Sequence, residues 1–248
     1  MLGTEANGLY SYAYRFAFVP YIMVAVVLGG VAFPVYSRLM ADSGAAGVGR
    51  AFRRMLHALL AIVVGLYLLL ALLAPRIVVI SDKWAPSAPV LLVLCGYGLL
   101  LCLVQAGHDV TRAIGRPGAY LQAMGLHVVA LTVLALIAAG RWGIVGVAWA
   151  QVVAAALTVT LIYGRLWRAG VAGSASLRSL AGPLAAAVLT AAGFGLLSRR
   201  VAMPAVDSLP GLLVVATALA GCYLGVLLLL DRSAVREFWA VARSGRAG

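Results

Sequence analysis

Long apolar runs separated by short connectors rich in arginine set the pattern of the chain. The runs cover about residues 16–36, 56–79, 89–110, 119–139, 143–165, 180–197 and 210–230. Each is near the roughly 20 residues that a helix needs to cross about 30 Å of hydrocarbon. Backbone polar groups in lipid must be satisfied within the segment, and the ten-residue alternation of a membrane barrel is missing, so every run predicts a helix. The expected fold is all-α, a polytopic transmembrane helix bundle of about seven spans.

Composition agrees: 64% of the 248 residues are apolar and 10% are charged, against roughly a half and a quarter in soluble domains. The net charge of +12 comes almost wholly from arginine, with Lys83 the only lysine. Counting by connector divides the nineteen basic residues unequally. Arg38, Arg50, Arg53, Arg54, Arg112, Arg116, Arg165, Arg168, Arg178, Arg232, Arg236, Arg243 and Arg246 fall on one side, thirteen in all. Arg15, Arg76, Lys83, Arg141, Arg199 and Arg200 fall on the other. The positive-inside rule then puts the C-terminus in the cytoplasm and, with an odd number of spans, the N-terminus outside a cell membrane. Because the arginines sit in connectors, topology accounts for the charge and no nucleic-acid partner is expected.

The start of the chain lacks the early positive charge of a secretory leader: the first basic residue is Arg15 and Glu5 precedes it. Cys95, Cys102 and Cys222 fall in apolar runs without CxxC spacing, so they are expected to be small buried hydrophobes, with neither metal nor cofactor. Tyr36, Trp84, Tyr120, Trp142, Trp167 and Trp239 lie near span ends, where they suit either headgroup anchoring or ordinary packing. Gly140, Gly143 and Gly146, and Gly221 with Gly225, are expected to let neighbouring helices approach closely.

Two places put polar groups where lipid should be. Gln105, His108, Asp109 and Arg112 close the third run and share one helix face, with Asp109 spaced to pair with Arg112. Two readings stay open: a polar cavity wall inside a bundle, or a helix end already solvated, since Gly115 and Pro117 follow closely. Near the start, Asn7, Ser11, Tyr14 and Arg15 form a second face. Arg15 there suits either an anionic group, through its planar fork of donors, or an interface anchor. Pro20 and Pro34 predict kinks in the first span. Paired carboxylates, HExxH, GxSxG and P-loop patterns are all missing, so the chain is not expected to be an enzyme.

One family matches these residues in order. Leu2-Gly3, GLYSYAYR (Gly8 to Arg15), Val19-Pro20 and VAFPVYSRL (Val31 to Leu39) are followed by AFRRML (Ala51 to Leu56), DKWAPSAPVLLVL (Asp82 to Leu94), RAIGRPG (Arg112 to Gly118) and GIVGVAWA (Gly143 to Ala150). This succession resembles the polysaccharide and oligosaccharide flippases of the multidrug/oligosaccharidyl-lipid/polysaccharide exporter superfamily, in their lipopolysaccharide and exopolysaccharide branch. It covers residues 2 to about 167. The resemblance implies two helical lobes around a central cavity, alternating access, and movement of lipid-diphosphate-linked sugars to the outer leaflet.

Against that plan the seven spans correspond to the C-terminal portion of a flippase. Residues 1–167 are expected to be a truncated C-terminal lobe of five spans, 168–179 a cytoplasmic linker, 180–230 two additional helices and 231–248 a basic cytoplasmic tail. Met1 is then expected to be an interior start, with a missing N-terminal lobe or a homodimer partner supplying the second cavity wall. The expected partners are a lipid-linked oligosaccharide of polyprenyl diphosphate type and membrane lipids. Arg15 and Arg112 are expected to contact the diphosphate, Tyr14, Gln105 and His108 to line the cavity, and Asp109 to orient Arg112 or carry a coupled proton. The competing functions are a multidrug exporter of the same superfamily and a membrane polysaccharide polymerase or ligase.

Overall fold

The computed structural model describes residues 3–75, 82–173, 181–200 and 209–230. Helix α1 (Thr4–Pro20) passes through a π-helical stretch (Tyr21–Val26) into α2 (Val27–Leu73). A 3₁₀ stretch (Asp82–Ser87) leads into α3 (Ala88–Ala113), and α4 (Pro117–Arg168), α5 (Ala181–Arg200) and α6 (Leu209–Leu230) follow. The described residues form an all-α membrane bundle whose helical runs are long and apolar enough to span a bilayer.

Both of the longest helices fold back on themselves at a glycine. Gly44 (φ 62°, ψ −161°) and Gly143 (φ 58°, ψ −142°) adopt backbone angles closed to side-chain-bearing residues. The reversal at Gly44 brings the Tyr36 and Phe52 rings to 6.4 Å, edge to face. The reversal at Gly143 brings Gly146 so close to the carbonyl of Ala138 that an added Cβ would lie 2.6 Å from it. Counting the arms separately gives seven helical segments among the described residues, in keeping with the seven apolar runs.

The hairpin in α4 is clasped by polar groups inside an apolar sequence. Thr158 Oγ1 donates to the carbonyl of Ala154 at 2.8 Å, so its 3.0 Å contact with His127 Nδ1 is one in which the imidazole donates. Further along, Arg165 crosses to the carbonyl of Ala119 (2.6 Å) and to Gln122 Oε1 (2.8 Å). Each pair straddles Gly143 almost symmetrically, which fixes the register of the two arms.

Residues 37–55, the connector between the first two apolar runs, hold the reversal at Gly44 and are helical on both sides of it. The physical reason is length. From Thr4 to Ser43 the helix runs about 60 Å, roughly twice the hydrocarbon thickness, so its arginine-bearing end projects past the bilayer without losing its backbone bonds. Beyond the turn, Phe52, Leu56, Leu60 and Val63 are fully buried, and further along the same arm Tyr67 lies against Gly98 of α3. Helices α5 and α6 pack on this second arm: Tyr223 donates to the carbonyl of Ala61 at 3.0 Å and its ring lies against Gly65.

The basic connectors gather at one end. Gly49 abuts the backbone of Val171, while Arg116, Arg165 and Arg168 border a common cavity. At the other end, Gly3, Thr4, Asn7 and Tyr10 share a cavity of about 340 Å³ with Ile144 and Val147, just past the second reversal.

Several local expectations change. Of the two readings for the span-end aromatics, Tyr36, 2% exposed, takes ordinary packing, whereas Trp142 and Trp167 are exposed. Cys222 is exposed, unlike Cys95 and Cys102. Gly140, Gly221 and Gly225 face open space, and Tyr223 between the last two makes the contact expected of them. Arg76, Arg178, Trp239, residues 174–179 of the expected linker and the 231–248 tail lie outside the described residues.

Gly143→Ala should destabilise the chain by about 1–3 kcal/mol, the cost of forcing a side chain into that backbone region, whereas Gly140→Ala should be nearly neutral. Thermal unfolding in detergent micelles compares the two; equal midpoints would show that the reversal does not depend on glycine.

Candidate functional site

Helix α3 and the first helical run lie parallel. The partners rise together along the sequence: Tyr14 with Tyr97, Tyr21 with Gln105, Gly29 with Asp109, and Phe33 with Arg112. The polar stripe at the end of α3 therefore faces the first run over two turns.

The stripe is a directed chain of hydrogen bonds. Tyr21 donates its hydroxyl to Gln105 Oε1 at 3.2 Å, and Gln105 Nε2 donates to Asp109 Oδ1 at 3.1 Å. Asp109 is only 4% exposed. Its other carboxylate oxygen is seated against Gly29, where a Cβ would collide with it, and Gln105 Nε2 lies 3.3 Å from the same position. Gly29 is thus a close-approach glycine: its missing side chain makes the space that the carboxylate fills.

Arg112 does not form the expected ion pair with Asp109. Its guanidinium carbon lies 4.4 Å from the centre of the Phe33 ring, an attraction worth about 0.5–2 kcal/mol. Arg112 as a whole is exposed. His108 stacks on Tyr120 of α4, with ring centres 3.8 Å apart and planes at 24°. Its place between α3 and α4 closes one side of the stripe.

Tyr14 and Arg15 belong elsewhere. The stretch of α3 between Tyr97 and Arg112 measures about 22 Å at 1.5 Å per residue, so the two predicted phosphate contacts, Arg15 and Arg112, stand near opposite ends of the span. Arg15 is exposed. Between them runs an aromatic ladder that links the two ends: Tyr10 to Tyr14 (6.4 Å), Tyr14 to Phe18 (5.2 Å) and Phe18 to Tyr21 (5.0 Å). The second predicted face is divided, since Asn7 borders the 340 Å³ cavity while Tyr14 turns to Tyr97.

The ladder ends at a break in helical geometry. Pro20 has no N–H for the ladder of backbone bonds, and the six residues that follow wind as a π-helix. Tyr67 of the second arm of α2 reaches the carbonyl of Ala17 at 2.9 Å beside this break. Tyr21, the first residue of the π-helix, is also the one that bonds Gln105.

Sequence reasoning found Gln105, His108, Asp109 and Arg112 but missed Gly29, Tyr21 and Phe33. The Gly29-Gly30 pair was the available signal, and only packing distinguishes them: Gly29 faces Asp109 and Gly30 faces open space. Among the described residues no group of three or more His, Cys, Asp or Glu side chains is arranged to hold a metal.

The fold is that of a multi-pass helical membrane protein, with this polar stripe inside the bundle. Residues 1–89 match the family model described as polysaccharide biosynthesis protein. The chain is 30% identical over 117 residues to the teichuronic acid biosynthesis protein TuaB of Bacillus subtilis (strain 168), an alignment that covers 46% of this chain and 24% of that protein. Its fold is similar to that of the lipid II flippase MurJ in an inward closed conformation, with a TM-score of 0.68 and 16% identity over 93% of this chain and 48% of that one. The chain thus spans about a quarter and a half of the lengths of these two proteins. Its first 89 residues thus resemble the polysaccharide biosynthesis family, and its fold is similar to that of about half of the flippase structure.

Gly29→Val should displace the Asp109 carboxylate and cost about 1–3 kcal/mol, while Gly30→Val should be tolerated because its side chain meets nothing. Unfolding midpoints of both variants, measured side by side in the same micelles, test whether the contact at Gly29 is as close as described.

Proposed function

We propose that the chain forms one wall of the translocation cavity of a flippase for lipid-diphosphate-linked oligosaccharides in cell-surface polysaccharide biosynthesis. The observation that carries this reading is the buried Gln105–Asp109 pair seated on Gly29, with Arg112 beside it and an aromatic ladder leading to it. A membrane helix bears the cost of burying such groups when they serve a polar passenger. Arg112 and Arg15 supply guanidinium groups suited to phosphate, and Tyr14, Gln105 and His108 supply aromatic and hydrogen-bonding surface suited to sugar. Asp109, whose carboxylate accepts from Gln105, orients Arg112 or carries a coupled proton.

The cycle needs no covalent chemistry. It is a population shift between inward-open and outward-open states, with the π-helical break after Pro20 as the flexible point of the first span. Similarity to a teichuronic acid biosynthesis protein and to the lipid II flippase fold supports a transporter of this class. The gathering of basic connectors at one end supports a cytoplasmic C-terminus and an external N-terminus. The second cavity wall comes from an N-terminal lobe or from another copy of the chain.

Because Arg15 and Arg112 are about 22 Å apart along the span, they meet the diphosphate at different stages. Arg15→Gln and Arg112→Gln should each lower export roughly tenfold, the effect of losing one charged hydrogen-bonding group. Their free-energy effects should add to within about 0.5 kcal/mol in the double variant. Surface polysaccharide, measured in cells with equal membrane levels of each variant, reads this directly; unchanged export in both single variants would sink the assignment.

The buried Asp109 also favours a second reading, export of cationic drugs. In that case Asp109→Asn would raise drug sensitivity and leave the polysaccharide intact.

A further inference from the structure

A second polar feature lies on the opposite side of the end of α3. The turn from α3 into α4 and the end of α4 enclose a cavity of about 140 Å³ bordered by Arg116, Arg165 and Arg168, with Thr111 and Ala119 between them. Its lining contains no carboxylate among the described residues, so three guanidinium charges share a small volume without a protein counter-charge.

An arginine that merely marks topology keeps its side-chain freedom and reaches for water or lipid. Arg165 is built in differently. Its Nη1 donates to the carbonyl of Ala119 at 2.6 Å and its Nη2 to Gln122 Oε1 at 2.8 Å, which fixes the guanidinium plane and leaves its remaining N–H groups for a ligand. Helix α4 also starts at this cavity, at Pro117, where the positive end of its dipole favours an anion. The exposed Trp167 ring, next to Arg168, suits a position at headgroup level.

We propose that this cavity binds the phosphate of a membrane lipid, either the headgroup of an anionic phospholipid or the diphosphate of a polyprenyl carrier. Three guanidinium forks around one small space match the oxygens of a phosphate or diphosphate, and its acyl or prenyl chain extends into the bilayer alongside α4. Neither Asp109 nor Arg112 takes part, so this binding is separable from the transport role proposed above.

The test uses the full purified chain in neutral detergent, with native mass spectrometry reading bound phosphatidylglycerol, short-chain polyprenyl diphosphate or phosphatidylcholine. The Arg116→Gln/Arg168→Gln double variant should weaken both anionic ligands roughly tenfold. The Arg53→Gln/Arg54→Gln variant removes the same charge at the same end of the bundle and should leave binding nearly unchanged. Arg165→Lys keeps the charge but loses the two-point clamp, and binding should weaken in it as well. Whichever anionic ligand binds more tightly identifies the source of the phosphate. Equal losses in the two double variants, full binding in Arg165→Lys, or no preference over phosphatidylcholine would overturn the site.

Discussion

A polar group left unpaired in hydrocarbon costs several kcal/mol, and the architecture of this chain follows from that cost. It makes every described span a helix, and in the two longest helical runs it leaves the reversal to a single glycine whose backbone angles turn the chain within a residue or so. It also explains why several polar side chains inside the bundle are partnered, although the Tyr10 hydroxyl and Gln151 Oε1 are buried without a hydrogen bond. His127 with Thr158 and Tyr67 with Ala17 each find a buried partner across helices.

Asp109 is the sharpest case. A carboxylate in an apolar bundle could have been neutralised by the arginine one turn along its own helix. Instead Asp109 accepts from Gln105 and rests on a glycine, while Arg112 is held by an aromatic face. Keeping opposite charges apart leaves each with capacity for another partner, which a satisfied ion pair would lack. That arrangement is poor for stability and good for a passenger, and it is why the transport reading rests on this stripe.

The sequence made the spans and the polar face of α3 readable, because each depends on local pattern: apolar length and 100° periodicity. Gly29 could not be singled out, since whether a glycine makes room for a neighbour depends on a helix some eighty residues away. The same limit affected Arg15 and Arg112. Helical arcs show which residues share a face of their own helix, but the parallel run of the first span beside α3, which separates them by most of a membrane thickness, is a tertiary fact. At residues 37–55 hydropathy locates the connector but not its helicity, since it reports where lipid ends and a helix need not end there.

The first turn of α4 ties the two polar regions together. The carbonyl of Ala119 holds Arg165, and the ring of the next residue, Tyr120, lies on His108. On the facing helix, Thr111 borders the arginine cavity while its neighbours Asp109 and Arg112 look toward the first span. One helical turn thus carries contacts to both regions, with no flexible linker between them. A displacement of that turn large enough to release the His108 stack must also move an anchor of the Arg165 clamp. Phosphate held at the bundle end and a polar passenger in the cavity would therefore act on the same rigid element, which is the physical requirement for either to influence the other.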